Sequence, residues 1–316
     1  MKIKKLNLEN ITITKEEAFY LLLNNLDFSY FDRLCTELAR EFNMSIYDMY
    51  QLVKDMNAPL ILKQKVFNQA LEMVMNNRPI GYKLDENNFI THSLKVGFLM
   101  SSLAEFVNFD KDKAFTIGLL HDYGKKCEYV NIRENKKEFN NINMIGFNEL
   151  IKLGYTNEAF ACVDHLYEVN DMNFNYAISI DDFKQYFNID LMSKIKYYKY
   201  YINYNCSIYD LILNIAHIIC PNNEIGNLYQ NTKQIELNLK DTKKIIYEKN
   251  IINLLSKFFE YALINYNKKE VLDTLCTQDY TNVSLTFKNL LKFFEERFTD
   301  SFNNSLVELK NKKMKK

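Results

Sequence analysis

With 316 residues the chain can bury a substantial core, as one large domain or two smaller units, which excludes a disulfide-stapled miniature. The 40 Lys plus Arg cancel the 40 Asp plus Glu, so the formal net charge of zero excludes a global attraction to nucleic acid or anionic lipid. Only 7 Gly and 3 Pro are available for tight turns, while Leu, Lys, Glu, Asn, Tyr and Phe fill long uninterrupted blocks, so the expected fold class is all-α.

Residues 1–10 carry two early lysine clusters with no apolar region behind them and no small-residue cleavage site. No signal peptide is expected there, and the expected compartment is the cytoplasm. Further on, Thr14 with Glu17, Ser29 with Asp32, and Ser45 with Asp48 each place a side-chain acceptor ahead of an apolar run, which predicts four short helices up to about residue 85. Residues 38–45 and the helix after them have the outline of a helix-turn-helix reader. The recognition helix would present Asp48 and Asp55 and little base-reading Arg, so core packing is the better reading. Pro79-Ile80-Gly81 is the clearest break and sets a boundary near residue 85.

Residues 89–106 read as an amphipathic helix through Ile90, Leu94, Val96, Gly97, Leu99 and Met100. Asp110 is placed to cap a helix over 111–120. Polar residues over 130–143 suggest a loop or lid, after which 145–153, 157–169 and 208–220 return to helical spacing and Pro221 marks a stop. The most apolar stretch, 211–220, contains Asn214 and His217 and is too short for the roughly 30 Å hydrocarbon core, so no membrane partner is expected. Three more amphipathic segments follow from about residue 231, ending in a lysine-rich solvated tail. The expected organisation is an N-terminal helical segment over 1–85, a central domain over 86–225 and a C-terminal helical segment over 226–316. The six cysteines, Cys35, Cys127, Cys162, Cys206, Cys220 and Cys276, include no Cys-x-x-Cys pair and read as reduced thiols. The tyrosines around Tyr197, Tyr198, Tyr200, Tyr201 and Tyr204 sit at helical spacing, which suits core and interface better than base stacking.

The four histidines, His92, His121, His165 and His217, all lie in the middle section. Imidazole and carboxylate together suit a borderline or hard divalent ion. A helix from His92 to residue 106 climbs about 21 Å and one over 111–121 returns about 15 Å, so a hairpin brings His121 and Asp122 within about one helical turn of His92. Gly124 is expected to release the backbone there, and Lys125, a cation beside the ion, is placed to hold a phosphate oxygen.

His92, within Thr91-His92-Ser93-Leu94-Lys95-Val96, and the segment Gly118-Leu119-Leu120-His121-Asp122-Tyr123-Gly124-Lys125 resemble the HD-domain metal-dependent phosphohydrolase superfamily, over roughly residues 86–225. The resemblance implies a helical bundle in which the first His, the His-Asp pair and a distal residue bind a metal: His92, His121, Asp122 and, where the family usually has Ala-Asp, His217 of Ile215-Ala216-His217-Ile218. Asp210, two turns earlier, is a weaker substitute. His165 resembles a histidine of two-metal members, but Ile142 and Asn143 stand where another would be, so a single ion is expected, with Mn²⁺ first and other first-row divalent metals behind it. A di-iron oxygenase is disfavoured for the same reason.

The implied reaction is hydrolysis of a phosphoester by a metal-activated water. Asp122 would orient the nucleophile, Lys125 would bind phosphate and His165 would assist protonation of the leaving oxygen. The implied partner is a small phosphorylated substrate, a nucleotide or related metabolite, and nucleic acid is not favoured. The alternatives are a nuclease or cyclic-nucleotide phosphodiesterase on the same scaffold, and a catalytically degenerate HD-fold interaction protein.

Overall fold

A computed structural model of the chain describes residues 12–23, 28–54, 58–76, 89–125, 142–164, 208–221, 224–226 and 228–237, together with 251, 254, 255 and 258. Every regular element among them is helical: α1 Lys15–Leu23, α2 Phe28–Phe42, α3 Ile46–Lys54, α4 Leu60–Met75, α5 Phe89–Phe106, α6 Lys111–Leu120, a 3-10 turn Tyr123–Lys125, α7 Ile142–Leu153, α8 Thr156–Asp164, α9 Ile208–Ile219 and α10 Leu228–Leu237. The all-α expectation holds, and four helices stand ahead of α5 among the described residues. Pro79-Ile80-Gly81, most of the polar stretch before α7, His165, the tyrosines of 197–204 and most of the chain past 237 lie outside the described residues.

By packing the chain divides into two compact units, residues 1–94 with 116–164 and residues 95–115 with 165–316. In the first unit α1 starts at a complete capping box. Thr14 N donates to Glu17 Oε2 at 3.0 Å and Glu17 N donates to Thr14 Oγ1 at 3.2 Å, so two N–H groups that the first turn leaves over are satisfied reciprocally. Asp48 N donates to Ser45 Oγ in the same way ahead of α3, at 3.0 Å. The α2 helix begins at Phe28, so Ser29 falls inside it. Between these helices Phe19 meets Phe67 edge-on at 5.4 Å and Phe31 meets Tyr50 edge-on at 4.7 Å, with Leu22, Leu23, Leu34, Leu38 and Val66 buried around them. The α7 and α8 helices pack on each other through Phe147 and Phe160, ring centroids 5.3 Å apart.

In the second unit Asp110 caps α6 as expected, its Oδ1 accepting from Asp112 N at 2.9 Å and Lys113 N at 3.0 Å. The α9 helix is buried on nearly every face, from Ile208 to Ile219, with the polar Asp210 and Asn214 buried among its apolar residues. Its last carbonyls, on Ile218 and Ile219, accept from Asn231 Nδ2 at 2.9 and 3.0 Å, and Pro221 follows directly. Phe106 stacks on Phe258 at 5.9 Å.

Among the described residues three helices end on a left-handed residue: Asn43 after α2, Asn108 after α5 and Gly154 after α7, with φ of 52°, 60° and 90°. In each case the next N–H reaches back five residues, Met44 to Ala39, Phe109 to Ala104 and Tyr155 to Leu150. This closure satisfies carbonyls that the last turn leaves open and turns the chain sharply. The α7 helix also starts at Ile142, so Ile142 and Asn143 belong to it and not to the polar loop expected over 130–143.

Candidate metal centre

The first unit brings His92, His121, Asp122 and Lys125 together. His92 sits in the opening turn of α5 among the buried Phe89, Ile90, Leu94 and Val96 and is itself only 6% exposed. His121 and Asp122 follow the last residue of α6 and are 0% and 1% exposed. The two imidazole rings meet edge to face with centroids 5.2 Å apart. Asp122 Oδ2 lies 3.8 Å from His92 Nε2, 3.4 Å from His121 Nε2 and 2.7 Å from Lys125 Nζ, so one carboxylate oxygen is the focus of three nitrogen groups.

The turn after α6 makes this convergence. Lys125 N donates to Asp122 O at 2.8 Å, which continues the right-handed coil as a 3-10 turn. Gly124 is therefore not used for a left-handed backbone; Gly154 is the glycine with positive φ among the described residues. Close approach at this turn depends instead on a glycine of another helix. A Cβ built on Gly146 of α7 would stand 2.8 Å from Gly124 N and 3.0 Å from Cys162 Sγ, so α7 sits directly against the backbone of the turn. Cys162 on α8 donates its thiol to Leu120 O at 3.3 Å, just ahead of His121.

Electrostatics define what the cluster can do. A carboxylate withdrawn from water needs positive charge beside it, and the Lys125 ammonium supplies some at 2.7 Å. His121 Nδ1 donates to Gly118 O, so in the neutral ring the proton is on Nδ1 and the Nε2 lone pair faces Asp122 Oδ2. A lone pair and a carboxylate oxygen turned on each other repel unless a cation stands between them. The spacing suits one: two donors about 2.1 Å from a single ion at tetrahedral angles stand about 3.4 Å apart. The observed 3.4 and 3.8 Å match a shared ion with one angle opened modestly. The donor set, two imidazoles and a carboxylate, therefore fits a borderline divalent cation.

His217 lies on α9 in the second unit, half-buried between the buried Ala216 and Ile218. Asp210, about two turns earlier on the same helix, is also buried. His92 and His121, within the first unit, each carry a ring nitrogen that could ligate a metal ion. His165 lies outside the described residues. Sequence reasoning missed the Gly118 carbonyl, Cys162 and the approach of Gly146 to Gly124, because a carbonyl has no residue signature and a thiol or glycine acquires its role only when another helix is laid on it.

A helical unit that buries a His and a His-Asp pair around one carboxylate oxygen is an α-bundle whose donor set could hold a metal ion. Residues 89–169 match the family model of the HD domain, and this segment is similar to that domain. The match starts with the first residue of α5 and contains His92, His121, Asp122 and Lys125, while His217 falls beyond its end. None of the curated proteins and none of the solved structures matches the chain. Among the described residues no helix is long and apolar enough to cross a membrane.

Proposed function

We propose that the chain is a cytoplasmic HD-type phosphohydrolase that cleaves a phosphoester of a nucleotide or related phosphorylated metabolite with one divalent ion, Mn²⁺ before other first-row metals. The observation that carries this reading is the turning of His92 and His121 Nε2 onto the same oxygen of the buried Asp122, at 3.8 and 3.4 Å, inside the HD segment. His217 is the proposed distal ligand, through the resemblance of Ile215-Ala216-His217-Ile218 to the family's distal position. An ion bound there supplies Lewis acidity toward a phosphoryl oxygen and acidifies a water.

The rest of the reaction falls to the chain's own groups. Gly118 O orients the His121 ring by accepting from Nδ1. Asp122, fixed by its burial, orients the attacking water. Lys125 keeps 39% of its side chain exposed while touching Asp122, so its ammonium reaches from the buried carboxylate to solvent and is the proposed holder of a phosphoryl oxygen. His165 is the proposed donor of a proton to the leaving oxygen. The zero net charge favours a small phosphorylated substrate over a long nucleic acid.

Elemental analysis of the purified full chain, followed by turnover on mononucleotides, cyclic nucleotides and single-stranded oligonucleotides, tests the proposal. About one metal per chain is expected, with hydrolysis of at least one mononucleotide that falls by more than about 100-fold in Asp122→Ala. Turnover confined to cyclic nucleotides or oligonucleotides would move the assignment to a phosphodiesterase or nuclease. A metal-loaded protein inert across the panel, and unchanged by Asp122→Ala, would establish a degenerate interaction protein. His217 in the place of the usual Asp is the feature that favours that second reading.

A further inference from the structure

The turn that carries His121 and Asp122 is held from behind by groups that touch no ligand atom. Leu120 is the last residue of α6, and its carbonyl is one of those a helix end leaves without an intrahelical donor. Cys162 Sγ, fully buried on α8, donates to that carbonyl at 3.3 Å. One helix away, Gly146 of α7 leaves no room for even a methyl group. A Cβ there would meet backbone, Gly124 N at 2.8 Å and Gly124 Cα at 3.2 Å, as well as Cys162 Sγ at 3.0 Å. Backbone cannot swing aside as a flexible side chain would, so any larger residue at 146 has to displace the turn, α7, or both.

Cys162 and Gly146 thus act at the two ends of one five-residue segment. The thiol fixes the carbonyl immediately before His121, and the bare Cα seats α7 on the peptide two residues after Asp122. His121 and Asp122 lie between these two points. We propose that Cys162 and Gly146 are positioning residues of the metal centre, which hold the Leu120–Gly124 backbone so that His121 and Asp122 present their donors to a single ion. The proposal rests on the metal-binding reading given above. It assigns this buried cysteine a geometric task, since its sulfur is engaged by a carbonyl and closed off from solvent.

The test is made on the full-length chain stripped of metal and titrated with Mn²⁺ by calorimetry and with Co²⁺ by its visible absorption. Cys162→Ala should weaken Mn²⁺ binding about tenfold, the lower range for groups that orient metal ligands. It should also shift the Co²⁺ band while the metal-free protein melts within a few degrees of wild type. Cys162→Ser, which keeps a donor, should restore affinity to within about threefold and return the Co²⁺ band to its wild-type position. A role in packing alone would lower the melting temperature and leave the band unmoved. Gly146→Ala should weaken both ions similarly, and it carries the test if Cys162→Ala does not fold. Wild-type affinity and an unshifted band in Cys162→Ala and Gly146→Ala would overturn the positioning role and leave the metal centre standing. Failure of wild type to bind either ion would overturn the metal reading and this proposal together.

Discussion

Replacing Lys125 by Met keeps most of the aliphatic stem and removes the ammonium that touches Asp122 Oδ2 at 2.7 Å. At that separation the gross attraction of two unit charges is about 6 kcal/mol for an effective dielectric constant of about 20. The net value is smaller, because breaking a fully buried pair costs about 3 to 5 kcal/mol and an exposed pair is worth at most about 1 kcal/mol. Here the carboxylate side chain is fully buried and the lysine 39% exposed, so about 2 kcal/mol is expected between these limits. Urea unfolding of wild type, Lys125→Met, Asp122→Asn and the double variant, all in chelator, gives the coupling directly. In saturating Mn²⁺ the same cycle should return less than about half of that, since an ion on Asp122 supplies the missing positive charge. Lys125→Met should also bind Mn²⁺ more tightly, because the ammonium no longer competes for the shared oxygen. A coupling below about 0.5 kcal/mol in chelator, or one that Mn²⁺ leaves unchanged, would refute the reasoning.

His217→Ala should weaken Mn²⁺ binding by roughly 10- to 100-fold, whereas His217→Asp, which restores an oxygen ligand, should bind Mn²⁺ at least as well as wild type and lose preference for Zn²⁺; competitive titration of the two ions decides this. Asp110→Ala removes the acceptor of the Asp112 and Lys113 N–H groups and should cost about 1 kcal/mol of stability by urea unfolding. Burial pushes the Cys35 thiol up to about 12, with Asp32 adding to the shift, and burial pushes Cys220 up to about 12 against the opposing charge of Lys95. Both folded-state values lie above the unfolded thiol's 9.0, so the folded protein holds these protons more tightly. Their contribution to stability is whole below pH 9 and lost as pH climbs toward 12. Iodoacetamide at pH 8.5 should leave both cysteines unmodified in the folded chain and alkylate both once urea unfolds it, as peptide mapping would show.

How far the fold was legible depended on where its determinants act. The α5 and α6 helices were readable to the residue, because apolar periodicity sets their buried faces, Asp110 marks one start and the His-Asp pair one end. Thr14 with Glu17 and Ser45 with Asp48 work within four residues of chain, so sequence exposes them fully. Asn43 and Asn108 end their helices just as locally, yet they were not singled out. Asn is so abundant in this chain that its presence after a helix carries little information, and only the positive φ tells these two from the others.

The metal centre divides along the same line. His92, His121, Asp122 and Lys125 were visible because coordination demands particular atoms, and a helical hairpin converts their spacing into proximity. The direction of Lys125 was not, since the same ammonium serves a phosphate or the neighbouring carboxylate, and the 2.7 Å contact to Asp122 emerges only once the turn closes on itself as a 3-10 coil. Gly124 was expected to act through backbone freedom, whereas the close packing at this turn depends on the bare Cα of Gly146, more than twenty residues away. The ligands of such a centre are written in residue chemistry, whereas the accuracy with which they are aimed is set by packing distances of about 3 Å between elements remote in sequence. Substitutions at 146 and 162 should therefore alter ion affinity and ligand field while leaving every metal-binding residue in place, a separation that no change to His92, His121 or Asp122 can produce.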